Sequence, residues 1–307
     1  MPQTVIGCDL ARGWIDTHVL PSGATARIEN TPEGIARWIA SWGDGALVVF
    51  EATSGCDGTL IEALASRGVR FARVNPRQAR EFARALGVLA KTDRVDARIL
   101  AEMGRMLPLE ATAPPDPDRM RLADFLRRRK QLVEMRKAEK VRRHNAGQPA
   151  ILSEIEAMIA LLDQRIANMD RTIAALIAAN QELSEQARLL AAVPGIGPTV
   201  LATLLGELPE LGTLCRRRIA SLAGLAPHPR ESGTWRGTRR IWGGRRKVRE
   251  ALYIAALSAS RRIPTLIAMR DRMRAAGKAP KTILIAIARQ LLVILNAMIR
   301  HREPIRL

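Results

Sequence analysis

The sequence predicts an α/β domain, then a long antiparallel helical arm, then a mostly helical domain. Three observations carry that reading. Short apolar runs alternate with helical segments across residues 1–109, an apolar seam repeats in steps of three and four within 110–187, and helices broken by Gly- and Pro-containing turns fill 188–307. A chain of 307 residues is long enough to bury more than one core.

The first segment opens on Thr-Val-Ile-Gly-Cys-Asp-Leu at 4–10, an apolar run that reads as a buried strand and carries Asp9 at its end. Trp14 to Leu20 and Ala24 to Glu29 read as two more strands, joined through the turn Pro21-Ser22-Gly23. Thr31-Pro32-Glu33 opens a helix, with Thr as cap and Pro at its first position, running to about Trp42. Ala46 to Phe50 is a wholly apolar strand, and Glu51 follows it directly. A helix over Asp57 to Ser66 closes at Gly68, Val69 to Asn75 is a further strand, and Pro76 starts a helix that ends near Gly87. This order is an antiparallel hairpin group followed by βαβ crossovers, the pattern of a ribonuclease-H-like α/β fold. In that pattern Asp9 and Glu51 end adjacent central strands.

Lys91 to Glu102 reads as the start of a helix, on which Asp93 and Asp96 share one face. Alone, the pair fits a capped helix start, with Thr92 or Asp93 as N-cap and the acids set against the positive end of the dipole. With Asp9 and Glu51 it fits a divalent-metal site, because hard cations take carboxylate oxygens. A carboxylate closing a strand of Val, Leu and Phe has few structural uses.

The arm begins with a basic helix from about Asp118 to Arg143, including Arg128, Arg129 and Lys130, and breaks at His144 to Pro149. The seam after it is expected at Ile151, Ile155, Met158, Leu162, Ile166, Met169, Ile173 and Leu176. It would serve pairing within one chain or between two. Pro194-Gly195-Ile196-Gly197-Pro198 looks like a helix-hairpin-helix turn, where Gly195 and Gly197 would let backbone N–H groups approach a phosphate. Residues 228–249 hold Arg230, Arg236, Arg239, Arg240, Arg245, Arg246, Lys247 and Arg249 against one acid, Glu231. This Gly- and Arg-rich loop is expected to hug a nucleic-acid backbone. The helices Ala251 to Ser260, Pro264 to Ala275 and Thr282 to Ile299 follow, the last apolar almost all round and therefore core or subunit interface.

Composition narrows the class of function. The net charge is +19 and the positive charge is nearly all Arg, the side chain suited to bidentate phosphate contact. With five Trp, four Phe and one Tyr, an aromatic platform for single strands is disfavoured as the main device. The three cysteines form no Cys-x-x-Cys pair and the four histidines give no zinc spacing. No signal peptide is read, and no apolar run is judged long and charge-free enough to span a bilayer, so the expectation is a cytoplasmic chain with no membrane partner.

Together these motifs strongly resemble the DEDD-type insertion-sequence transposases related to Piv-type DNA invertases, the recombinases guided by a bridge RNA. The resemblance rests on Gly7-Cys8-Asp9, Glu51-Ala52-Thr53-Ser54-Gly55, Val74-Asn75-Pro76, Lys91-Thr92-Asp93-Arg94-Val95-Asp96-Ala97, Pro194 to Pro198, Ala223 to Pro227, Ser232-Gly233 and Arg249 to Tyr253. It covers nearly the whole chain and is weakest over 110–187. It departs after Asp9, where Leu10-Ala11-Arg12 replaces a Val-Ser-Lys-like run. The resemblance implies a RuvC-like first domain whose Asp9, Glu51, Asp93 and Asp96 bind Mg²⁺, or Mn²⁺ in its place. It implies Ser232 as a nucleophile that holds cut DNA as a phosphoserine. It also implies double-stranded donor and target DNA, a bridge RNA, and a homo-oligomer, dimer or tetramer, with a composite active site.

Three other readings stay open on the sequence. One is a metal nuclease of the Holliday-junction resolvase kind, in which the acids activate water and Ser232 is structural. Another is a non-catalytic nucleic-acid-binding protein whose acids cap helices. The third is a tyrosine recombinase, which would rest on Tyr253, a residue of an apolar helix.

Overall fold

Alternation along β1 (Val5–Leu10) decides the two faces of the first unit. Ile6, Cys8 and Leu10 point to one face and Val5 to the other, and separate cores form on each. The computed structural model describes residues 4–42, 45–52, 55–88, 93–113, 116–229, 231–232, 235–237 and 239–304; the side chains of 93–94, 231–232 and 235–236 lie outside the description. The chain divides into two units, Met1–Pro114 and Pro115–Leu307.

In the first unit β1 is followed by β2 (Trp14–Leu20), β3 (Thr25–Glu29), α1 (Pro32–Ala40), β4 (Leu47–Glu51), α2 (Gly58–Ser66), β5 (Arg70–Val74), α3 (Pro76–Ala85) and α4 (Asp93–Met106). The sheet order is β3-β2-β1-β4-β5. The strands β1, β2 and β3 pair antiparallel, and β1, β4 and β5 pair parallel, so the hairpin group and the crossovers read from the sequence are both present. Thr31 caps α1, accepting from the Gly34 N–H at 3.1 Å. The helices α1 and α2 cover Ile6, Cys8, Val48 and Phe50 on one face. Ala79 of α3 and Leu100 and Met103 of α4 cover Val5, Val49 and Val74 on the other.

The second unit opens with α5 (Pro117–Asn145) and α6 (Pro149–Ala179), followed by α7 (Gln181–Ala191), α8 (Pro198–Glu207) and α9 (Arg216–Leu222). Then come four two-residue strands, β6 (Pro227–His228), β7 (Glu231–Ser232), β8 (Trp235–Arg236) and β9 (Arg240–Ile241), and three helices, α10 (Arg246–Ala259), α11 (Pro264–Ala275) and α12 (Pro280–His301). The arm pairs within the chain, α5 against α6, with Arg129 bonded to Asp170 and Arg136 to Asp163 across it. Its base is part of the same core as α8, α10 and α12, through Leu122, Leu126, Ile173 and Ile177.

The arm departs from the expected seam. The buried stripe on α6 is Ile155, Ile159, Leu162, Ile166, Ile173 and Ile177, while Ile151 and Met158 are exposed. Ile159 stands where Met158 was expected, seven residues before Ile166 and fourteen before Ile173, and Ile177 is buried beside the half-buried Leu176. A second correction concerns α12. By length and composition it is apolar enough to cross a bilayer, against the expectation that no such run exists. Its Ile287, Leu291, Leu292 and Leu295 instead fill the core of the unit. Asn296, a buried polar residue of that helix, accepts from the Gly212 N–H at 2.8 Å and donates to the Leu214 carbonyl at 2.9 Å.

Arg119 joins three helices. It is 7% exposed, and its guanidinium donates to the Leu205 carbonyl at 2.8 Å, to Gln186 at 2.9 Å and to Glu182 at 3.2 Å. Arg119→Ala should lower unfolding free energy by about 2 kcal/mol in chemical denaturation, since hydrogen bonds from a charged donor contribute roughly 1.5–3 kcal/mol. Arg119→Lys should recover little of it, because one ammonium cannot reproduce the planar fork.

Candidate active site and nucleic-acid interface

In the parallel pair, Cys8 faces Phe50, so Asp9 and Glu51, the next residues along, end neighbouring strands side by side. Alternation sends Val5, Gly7 and Asp9 of β1, and Leu47, Val49 and Glu51 of β4, to the face that α4 covers. Gly7 sets how closely α4 approaches. A Cβ there would lie 2.0 Å from the Ala97 carbonyl oxygen and 2.4 Å from the Ala101 nitrogen, both backbone atoms. At the other end of the helix a Cβ on Gly104 would meet the side chains of Val5 and Val49 at 2.7 Å.

These two contacts give α4 its direction. It runs against β1, with its last turns over the start of the strand and its first turn toward the end that carries Asp9. Gly7 to Asp9 is about 7 Å along a strand, and Ala97 back to Asp93 is about 6 Å along a helix. The fold therefore brings Asp9, Glu51 and the α4 N-terminus to one end of one sheet face. Asp9, Glu51 and Asp96 are half-buried. Asp93 starts α4, but its side chain is not described, and Thr92, the alternative N-cap, lies outside the described residues. Among the described residues no three acids, histidines or cysteines stand close enough to hold a metal ion. The donors gathered at this end are carboxylate oxygens, which suit hard cations such as Mg²⁺ and Mn²⁺.

The sequence reading missed a supporting residue. Asp16 stands directly opposite Asp9, and Arg27 opposite Asp16. Facing carboxylates repel, and Arg27 offsets this by donating to both oxygens of the buried Asp16, at 2.9 and 2.7 Å. The Arg27 guanidinium lies 5.1 Å from the Trp14 ring centre. Strand register, invisible in the sequence, was the only signal for Asp16. Nearby, burial first and the Asp9 charge second raise the Cys8 thiol far above its ordinary value, so Cys8 is not a nucleophile here. Burial, with Arg98 beside it, lowers the His18 pKa against a smaller opposing effect from Glu102.

Of the stretch 228–249, expected as a loop, the part up to Ile241 forms two nested ribbons and Arg246 already opens α10. Pro227 and His228 pair with Ile241 and Arg240, and within that stem Glu231 and Ser232 pair with Arg236 and Trp235. Ser232 thus ends β7 at the inner hairpin; its side chain, and that of Arg236, are not described, and Arg230 lies outside the described residues. The ribbon was missed because each strand has only two residues, too short for alternation to show.

The basic residues divide into two groups. Arg245 is bonded to Glu210, Lys247 to Glu207, Arg246 to Glu250, and Lys130 lies near Glu134 and Glu250. Arg129 serves the arm, and Arg128 donates to Gln131. Arg239 and Arg240 are exposed and line a cleft. The two turn glycines also differ. Gly195 has φ +99° and a Cβ there would lie 2.7 Å from the Ala255 carbonyl, so it seats the turn against α10. Gly197 is exposed at the start of α8, with open space around it.

A family model described as a transposase, of the IS110 DEDD type, matches residues 6–146, and one described as the transposase IS116/IS110/IS902 family matches residues 187–274. The chain is 30% identical to the pilin gene-inverting protein of Moraxella bovis over 99% of its own length and 98% of that protein's. The pilin gene-inverting protein of Moraxella lacunata is similar to the same degree. An uncharacterized 43.6 kDa protein of insertion element IS110 from Streptomyces coelicolor is 34% identical over 42% of this chain and 33% of its own.

Proposed function

Since this chain belongs to the IS110 family of transposases, enzymes that cleave and rejoin DNA, we propose that it carries the two halves of a composite active site. Its first unit is a RuvC-like domain in which Asp9, Glu51, Asp93 and Asp96 hold a divalent cation, Mg²⁺ or Mn²⁺, and Ser232 of the second unit is the nucleophile. The observation that supports the acidic half is the close seating of α4 on Gly7, which aims the helix start at the strand ends bearing Asp9 and Glu51.

The Ser232 hydroxyl oxygen bonds to a DNA phosphorus while the bond from that phosphorus to a sugar oxygen breaks. The serine proton is given up, and the departing sugar oxygen gains one. The strand is then held as a phosphoserine ester until a hydroxyl of another strand attacks the phosphorus, the serine oxygen leaves with a proton, and the strands are rejoined. Serine is a weak nucleophile at its own pKa and needs activation. A cation held by these carboxylates would supply charge stabilisation for the attacking and leaving oxygens. The acids and the serine lie in different units of the chain, which suits a composite site in a homo-oligomer, dimer or tetramer, with a bridge RNA choosing donor and target DNA by base pairing. Action is on DNA in the cytoplasm. A second reading, site-specific DNA inversion by the same chemistry, is favoured by near full-length similarity to proteins named for pilin gene inversion.

Denaturing gels of protein incubated with end-labelled DNA test the nucleophile. Ser232→Ala should leave no covalent protein–DNA adduct, and Tyr253→Phe should leave the adduct intact. An adduct formed by Ser232→Ala would remove the serine assignment, and strand cutting by that variant at the normal rate would favour a resolvase-type nuclease.

A further inference from the structure

A cleft of about 1070 Å³ in the second unit is bounded by the first turn of α9, the β6–β9 ribbon, α11 and α12. Six basic side chains line it, Arg216, Arg217, Arg239, Arg240, Lys281 and Arg289, and its lining holds no acid. None of the six has an acidic partner among the described residues, whereas Arg245, Arg246 and Lys247 just beyond the ribbon each have one. Six cations around one concavity, without an acidic partner among the described residues, repel each other, and a polyanion is what offsets that repulsion. The floor is different in kind, formed by the apolar Leu225, Ile241, Met269 and Ile285.

We propose that this cleft grips an unpaired stretch of nucleic acid, with phosphates on the six cations and base faces on the apolar floor. A duplex shields its base faces and would leave the floor bare. The volume of about 1070 Å³ lies just above the range of pockets for compact ligands, roughly 300–1,000 Å³, which suits a few nucleotides of one strand and not the width of a double helix. With no aromatic residue in the lining, the stacking partners are aliphatic side chains and the guanidinium planes of Arg239 and Arg240. The β6–β9 ribbon is both a wall of the cleft and the stem of the hairpin bearing Ser232. The gripped strand therefore lies next to the one that serine holds, a placement that rests on the nucleophile reading; the grip itself does not.

The test is fluorescence anisotropy on the full chain, in chelator so that no strand is cut. The probes are fluorescein-labelled oligo-dT, oligo-rU and a duplex of equal length. The variant is Arg216→Gln/Arg217→Gln/Arg289→Gln, and none of these three side chains is buried. It should lose about 30-fold or more in affinity for both single strands, and its salt slope should fall by about two, at roughly 0.7 per phosphate contact. Duplex affinity should stay within threefold. Unchanged single-strand binding, an equal loss on duplex, or competition by polyglutamate as effective as by oligo-dT would each overturn the proposal. Because no cleavage is measured, failure here leaves the Ser232 adduct test standing, and failure of that test leaves this one standing.

Discussion

Gly7→Ala is expected to be among the most damaging single substitutions in the chain. The new Cβ would stand 2.0 Å and 2.4 Å from two backbone atoms of α4, neither of which can rotate away. The helix must lift, and a clash of this kind costs about 3 kcal/mol, the upper end of overpacking. Lifting also carries Asp93 and Asp96 away from Asp9 and Glu51. A misplacement of about 1 Å in reacting groups costs roughly 10²-fold in rate. DNA cleavage by Gly7→Ala should thus fall at least that far, with a lower midpoint in urea. Gly104→Ala is the control on the same helix. The atoms nearest its Cβ are side-chain methyls, of Val5 and Val49 at 2.7 Å and of Leu47 at 3.8 Å, so about 1 kcal/mol and near-normal cleavage are expected. Equal behaviour of the two variants would refute the positioning role of Gly7.

Asp9→Asn should abolish cleavage while leaving the fold intact. Loss of a carboxylate that holds a catalytic cation removes several kcal/mol of transition-state stabilisation, which corresponds to roughly 10³-fold in rate. Stability should change by no more than about 1 kcal/mol, because the Asp16 charge that Asp9 faces is already offset by Arg27 and cross-strand pairs contribute about 0.2–1 kcal/mol. The pairing of the two readouts is the test: cleavage kinetics with Mg²⁺ or Mn²⁺, and urea denaturation. Calorimetric titration with Mn²⁺ should show weakened binding in the same variant. Normal cleavage by Asp9→Asn would dismiss the carboxylate site, and an unfolded variant would assign Asp9 a structural role.

The sequence alone determined the order of strands and helices, the acids at the strand ends, the antiparallel arm and the apolar last helix. Each is written in local signals, namely alternation, caps and turn residues, whose reach is a few positions. The face on which Asp9 and Glu51 meet, the Asp16–Arg27 pair beside them and the closeness of α4 to Gly7 came only with strand register and helix packing, which join residues tens of positions apart. The same holds for the basic residues. A run of Arg in sequence carries no mark of which guanidinium finds a carboxylate, and the structure separates Arg245 and Lys247, held by Glu210 and Glu207, from the cleft-lining Arg239 and Arg240. Arg216, Arg217, Lys281 and Arg289 join that cleft from three separate stretches of chain, so only folding could show that they converge. Charge was legible from composition; where it is left unneutralised was decided by tertiary packing, because pairing depends on distance in space and not along the chain.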